Sequence, residues 1–188
     1  MSIPSYPGVG ITALGRVQSQ RTALFLKKYL NKNNLKLDHI YSSGMTRAIQ
    51  TAKIMNQVLN RPISFHEELR EQNKIIFDAP NRTLFYKDKI LRMKRLEHFI
   101  DNLLQTSKKT ILVVCHGNAI SRIVAYLQGI KPDKQARINQ VHTGITYLKI
   151  IRTKSPSSKK YKIAKIEIIF ANHIALEHKY VTWLNKDE

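Results

Sequence analysis

The sequence predicts an α/β fold in which helices cover both faces of a mainly parallel β-sheet and a hairpin lies near one edge. Helix and strand signals alternate along most of the chain, the pattern that produces parallel strands joined by helical crossovers. Residues 111–115 (ILVVC) form the kind of continuous apolar run that is typical of a strand buried on both faces. Two strand signals further on flank a loop rich in Ser and Lys, which predicts the hairpin.

The first half of the chain is predicted to contain two helices and two strands. Thr12 can cap a helix that runs to about residue 30, with Ala23, Leu26 and Leu30 along one side. The signals that follow are a strand at 39–43, a helix at about 46–59 and a short strand at 62–66.

In the second half, an irregular segment at 67–82 leads to a long helix that ends near Leu104. A strand at 110–115 then feeds a helix whose apolar face comprises Ile120, Ile123, Val124 and Leu127. The hairpin strands are predicted at 143–151 and 163–170.

Length and composition predict one domain over residues 1–188. The chain is 43% hydrophobic, which suffices for a single core. It has no apolar run long enough to span a bilayer, and residues 1–15 do not resemble a secretory signal. Its one cysteine, Cys115, excludes an internal disulfide and fits a reducing compartment, so we expect a cytoplasmic protein. The oligomeric state is not predicted.

The formal charge of +19 favours anionic partners. Nucleic acid is a less favoured partner, because the chain has no strong basic run and no pattern of stacking aromatic residues. Lysines scattered over a solvated surface are the simpler interpretation of the charge.

An arginine and a histidine each follow a predicted strand at the start of a helix. Arg47 comes just after the strand at 39–43, and His116 ends the apolar strand and is followed by Gly117. Ligands of open α/β sheets bind beyond the carboxyl ends of the strands, so both side chains are expected in one crevice. A guanidinium fork beside free helix N–H groups predicts a phosphate site there.

Five short segments of the chain are informative when they are taken in order. They are residues 11–18 (ITALGRVQ), 42–52 (SSGMTRAIQTA), 69–71 (LRE), 114–118 (VCHGN) and 142–146 (HTGIT). In this order they resemble the histidine phosphatase superfamily, also called phosphoglycerate mutase-like. The resemblance covers nearly the whole chain. It implies a three-layer α/β/α fold and phosphoryl transfer through a phosphohistidine.

The resemblance also implies the roles of particular residues. Arg47 and His116 would hold the phosphoryl oxygens, Gly117 and Asn118 would add contacts beside His116, and Glu71 would protonate the leaving oxygen. These assignments suit a reaction that depends on positioning and on neutralising charge. No metal or cofactor is implied, and the sequence has no metal-ligand spacing.

The implied substrate is a phosphorylated small molecule or a phosphoprotein. Residues 43–48 and 69–71 look somewhat like the branch that acts on phosphoserine and phosphothreonine proteins, whereas 116–118 (HGN) also looks like the sugar-phosphate mutases. A phosphatase is favoured over a mutase, because residues 72–74 (QNK) do not resemble the mutase pattern.

One motif of the family is missing. Members begin with a central strand that ends in Arg-His-Gly and supplies the nucleophilic histidine and a second phosphate-binding arginine, but this chain contains no Arg-His pair. We therefore expect an N-terminally incomplete domain that lacks its first central strand and is inactive or impaired as a phosphomonoester hydrolase. The alternative is a pseudo-phosphatase that binds a phosphorylated ligand without turnover.

Simpler roles stay open for several of these residues. Arg47 could pair with a carboxylate, His116 could be a packed core residue, and Glu67 or Glu68 could be the acid instead of Glu71. A Cys115 nucleophile is disfavoured, because six residues rather than five separate it from Arg122. His142 and His173 are expected to be structural or exposed.

Overall fold

The computed structural model describes residues 9–71, 82–134, 140–158 and 160–175 of the chain. It contains four α-helices and five β-strands in these segments. In chain order they are α1 (Ala13–Lys32), β1 (His39–Ser43), α2 (Thr46–Leu59), β2 (Ile63–His66), α3 (Arg82–Gln105), β3 (Ile111–Val114), α4 (Gly117–Leu127), β4 (Ile145–Lys154) and β5 (Tyr161–His173). Two short 3₁₀ turns, at Glu67–Leu69 and Pro132–Lys134, complete them.

A parallel sheet of three strands forms the centre of the fold, in the order β2-β1-β3. Its registers pair Ser42 of β1 with Phe65 of β2 and with Val114 of β3, so the three carboxyl ends lie side by side. Successive side chains of a strand point to opposite faces, and the two faces of this sheet pack against different helices. On the first face Ile40 and Val114 join a cluster with Ala23 of α1 and Ala52 of α2.

The opposite face packs against α3 and α4. Tyr41 of β1 belongs to a second cluster with Leu96 and Phe99 of α3 and Leu127 of α4. The α/β fold with a parallel sheet between two helical layers, as the sequence predicts, is thereby confirmed.

The hairpin β4–β5 is a separate two-stranded antiparallel sheet. Leu148 and Ile150 of β4 pack against the cluster that contains α3 and α4. Tyr147, by contrast, meets Tyr29 of α1 edge to face at 5.8 Å. The hairpin therefore lies between the same two helical layers as the parallel sheet, although within the described residues β3 and β4 form no ladder with each other.

Most predicted elements are confirmed within two or three residues. The strand at 39–43 and the helix at 46–59 have the predicted bounds, and Thr12 caps α1 by accepting a hydrogen bond from Gly15 N–H at 3.0 Å. The hairpin differs: the sequence predicts it near one edge of the mainly parallel sheet, whereas in the described residues it forms a second sheet, with longer strands than predicted. The residues 72–74 that favour a phosphatase lie outside the described segments. No helix in the described segments is long and apolar enough to cross a membrane.

Candidate functional site

The start of α2 carries a positive charge at the carboxyl end of β1. Arg47 is the second residue of this helix and is half-buried. The N-cap residue, Met45, makes no side-chain hydrogen bond to the helix, and the first turn has no acidic residue. The start of α2 therefore places the positive end of the helix dipole beside a guanidinium, with no acidic side chain of its first turn to offset it.

His116 lies one strand away, directly after β3. It has an extended backbone, is the N-cap residue of α4, and is only 6% exposed. Its Nε2 atom is 2.9 Å from Oγ of Ser43, the last residue of β1. Because a hydroxyl both donates and accepts, this contact suits either tautomer of a neutral imidazole. The parallel pairing of β1 with β3 thus brings the ends of two sequence-distant strands into contact.

The surroundings of His116 disfavour its protonation. Burial, then the charge of Arg47 and then that of Arg70, lowers the pKa of His116 to about 4. The imidazole is therefore neutral at pH 7 and lies within the field of two guanidinium groups. An anion placed there would offset both charges.

Arg70 approaches the site from the segment that follows β2. Its Nη1 is 3.2 Å from Oε2 of Glu67, in the 3₁₀ turn. The other oxygen of Glu67 lies against Gly44, where an added Cβ would collide with it. Gly44 therefore leaves room for the carboxylate that pairs with Arg70, between β1 and α2.

Glu71 is half-buried and lies close enough to Cys115 for its charge to help raise the pKa of that thiol. Burial is the larger cause, and the pKa of Cys115 reaches about 12. A thiol with this pKa is protonated at neutral pH and is a poor nucleophile. The structure therefore agrees with the sequence in disfavouring a cysteine mechanism.

Gly117 and Asn118 are the first two residues of α4, next to His116. The first turn has no acidic residue, and the His116 side chain does not cap it. Among the described residues, a Cβ on Gly117 would meet Gln140 Cβ at an ordinary 3.5 Å, so packing against this neighbour does not require glycine here. What the position provides is backbone N–H groups at a second helix start.

The predicted site residues thus lie together at the carboxyl ends of the strands of the parallel sheet. Sequence reasoning missed two members, Ser43 and Arg70, although both lie in the segments that resemble the family. The sequence signal for Ser43 is its place at the end of the predicted strand at 39–43, and that for Arg70 is its place between Leu69 and Glu71. The two other histidines considered do not resemble reactive groups: His142 is exposed, and the ring of His173 packs 4.7 Å from that of Phe25.

Such an arrangement can bind a tetrahedral anion. Two guanidinium groups supply positive charge, a neutral imidazole can donate one N–H, and the starts of α2 and α4 point backbone N–H groups toward the same edge.

Comparison with known proteins leads to one family. Residues 5–80 and 92–162 match the description "Histidine phosphatase superfamily (branch 1)", which is well over half of the chain. A Hydrogenobacter thermophilus protein provisionally named phosphoserine phosphatase 2 is 26% identical over 77% of this chain and 79% of its own length. The mitochondrial serine/threonine-protein phosphatase PGAM5 of Xenopus laevis is 28% identical over 74% of this chain and 52% of its own.

Solved structures agree on the fold. The phosphoglycerate mutase of Plasmodium falciparum superposes with a TM-score of 0.60 and 25% identity, covering 85% of this chain and 94% of that one. A mycobacterial hydrolase superposes with a TM-score of 0.65 at 18% identity, covering 93% of this chain and 84% of its own.

Proposed function

Because the chain belongs to the histidine phosphatase superfamily, we propose that its cationic site binds the phosphoryl group of a phosphomonoester. The observation that carries the proposal is the position of His116, which is buried and neutral at pH 7, bonded to Ser43, and within the fields of Arg47 and Arg70. A phosphoryl dianion bound there would be attracted by both guanidinium groups, and it would add negative charge beside Arg70 to that of its Glu67 partner.

Each residue then has a distinct role. Arg47 and His116 hold non-bridging oxygens, with Arg70 as an additional cation, and Gly117 and Asn118 contribute the N–H groups of the α4 start. Glu71 protonates the leaving oxygen. These groups neutralise charge that spreads over the phosphoryl oxygens during transfer, which is most of what such a reaction requires of a protein.

The proposed substrate is a phosphate ester of a serine- or threonine-type hydroxyl. The names of two relatives support this class: one is provisionally a phosphoserine phosphatase, the other a serine/threonine-protein phosphatase. Comparing the hydrolysis of O-phosphoserine with that of a phosphoserine peptide would show whether the substrate is a small molecule or a phosphoprotein. We place the reaction in the cytoplasm, in line with the single cysteine.

The nucleophile is proposed to come from a strand that the described fold does not contain. Three of the four residues of β3 are only half-buried although all are apolar, and among the described residues β3 has a ladder partner on one side only. The hairpin lies between the same helical layers with its β4 edge also unpaired within the described residues. A strand between β3 and β4 would pair both edges and bring an Arg-His-Gly motif to the phosphate site.

Phosphate binding tests the site itself. Titration calorimetry with inorganic phosphate is expected to show binding to the chain as given, weakened about 10- to 100-fold by Arg47→Ala because a charge-assisted hydrogen bond is lost. Lys53→Ala, which removes an equal charge from an exposed position of the same helix, is the matched control. Equal losses from both variants would contradict the site.

Turnover distinguishes an incomplete enzyme from a pseudo-phosphatase. The DNA preceding the Met1 codon is expected to encode, in frame, a strand ending in Arg-His-Gly, and the extended chain is expected to hydrolyse p-nitrophenyl phosphate. An in-frame stop codon directly before Met1 would contradict this for the gene.

If the chain as given hydrolyses p-nitrophenyl phosphate and His116→Ala abolishes the hydrolysis, the alternative that the protein is a pseudo-phosphatase without turnover is wrong.

A further inference from the structure

The outer strand of the hairpin combines an unpaired edge with exposed apolar side chains. Within the described residues β5 pairs only with β4, and it is 13 residues long. Ile163, Ile168 and Ile169 of this strand are all exposed, at 37, 43 and 44% of their surface. A long edge with exposed isoleucines is a template for pairing with another strand.

The charges on β5 are self-complementary. Between two register shifts of the β4–β5 ladder lies a regular part, which contains Lys165, Ile166 and Glu167. If a second copy of β5 pairs antiparallel about Ile166, each Lys165 lies opposite Glu167 of the other copy. Residues directly opposite share a face, so two Lys–Glu pairs form across the two-fold axis.

Other registers lack this match. A shift by two residues in either direction would place Lys165 opposite Lys165 of the second copy, or Glu167 opposite Glu167, and like charges directly opposite are destabilising. Both side chains reach the surface, with 63% of Lys165 and 32% of Glu167 exposed. Within one chain, Lys165 Nζ lies 2.7 Å from one oxygen of Glu167, and Lys149 Nζ lies 3.7 Å from the other.

We propose that two copies of this chain form a symmetric dimer by antiparallel pairing of their β5 strands about Ile166. The contact is a strand addition over a few residues, and its area is small for a stable interface, so the dimer forms in a concentration-dependent manner. It lies on the hairpin, and its formation does not depend on the phosphate site.

Charge exchange tests the register. By sedimentation equilibrium, over an about hundredfold range of concentration, the wild type is expected to self-associate to a dimer. Lys165→Glu alone and Glu167→Lys alone each place like charges opposite one another twice, and are expected to weaken dimerisation at least about tenfold. The double variant K165E/E167K restores opposite charges in the same register and is expected to recover most of the affinity.

Lys154→Glu is the matched control, because it makes the same charge change at an exposed position of β4 outside the proposed contact. Far-UV circular dichroism shows which variants fold. Hydrogen exchange of the wild type supplies a second measurement: amides of residues 165–168 are expected to become more protected as concentration rises. A wild type that stays monomeric throughout, or a double variant no better than the singles, would overturn the proposal.

Discussion

β1 and β3 are neighbours in the same sheet, yet they differ in how deeply they are buried. Four of the five residues of β1 are buried, including the polar Ser42 and Ser43, whereas β3 is an entirely apolar strand with one buried residue of four. The difference follows from position: in the described part of the chain, β1 has a hydrogen-bonded strand on each side and β3 on one. Burial of a strand therefore depends on its neighbours in the sheet more than on its own hydrophobicity.

Each of the two strands also places one buried polar side chain at the candidate site. β1 ends in Ser43, a buried hydroxyl, and β3 leads into His116, a buried imidazole, and the two side chains bond to each other. Ser43, at the end of the more buried strand, thus holds His116, which follows the less buried strand, at the proposed phosphate site. Four substitutions test this contrast.

Ile40→Ala in β1 is expected to have the largest effect on stability. Ile40 is fully buried in the cluster with α1 and α2, so the substitution removes its transfer energy and leaves a cavity. We expect a loss of about 3–4 kcal/mol in the free energy of unfolding. Urea denaturation followed by circular dichroism measures it; a loss below about 1 kcal/mol would mean that β1 is not the tightly packed strand.

Acid dependence tests the burial of His116. Its pKa in the fold is about 4, below the ordinary value of 6.5. The unfolded chain therefore binds the proton first, and stability is lost as the pH falls from about 6.5 toward about 4. His116→Asn is expected to remove the contribution of His116 to this loss. Between about pH 6.5 and about pH 4 the variant should therefore lose up to about 3 kcal/mol less free energy of unfolding than the wild type.

Urea titrations of wild type and His116→Asn at several pH values check this expectation. His39 and His66 also have lowered pKa values, chiefly through burial, and they stay present in both proteins, so their contribution cancels in the difference. If the free energy of unfolding changed equally with pH in the two proteins, the pKa of His116 would not be lowered in the fold, and the prediction would be wrong.

Leu112→Ala in β3 is expected to cost less than Ile40→Ala. Leu112 faces the same cluster but is only partly buried, so less apolar surface returns to water. We expect about 1–2 kcal/mol by the same urea measurement. A cost equal to that of Ile40→Ala would contradict the difference between the two strands.

Ser43→Ala is expected to have the smallest effect on stability, about 1 kcal/mol, because it removes the hydroxyl that bonds His116 and that accepts a longer hydrogen bond from Met45 N–H, at 3.3 Å. Thermal unfolding measures it, with Ser157→Ala in the exposed hairpin loop as control. The control is expected to leave the midpoint unchanged. Equal shifts for the two variants would mean that the contact between Ser43 and His116 contributes nothing.

Local signals account for most of the predicted fold. The bounds of β1 and α2 follow from a short apolar stretch, a Gly44 turn and helical spacing, all of which act between near neighbours. The arrangement of the hairpin could not be predicted in the same way. Its strands carry clear β signals, but whether they join the parallel sheet depends on what lies beyond the edge of β3, and no local pattern encodes that.

The sequence by itself determined the family and the positions of Arg47, Glu71 and His116, because these residues lie in short segments whose order and composition are distinctive. Only the tertiary structure decided that Ser43 bonds to His116 and that Arg70 adds to the field of Arg47. Those relations depend on strand register and on burial. The physical reason is that a pKa or a hydrogen bond arises from groups brought together across the sheet, such as residues 43 and 116, whose separation in sequence says nothing about their distance in space.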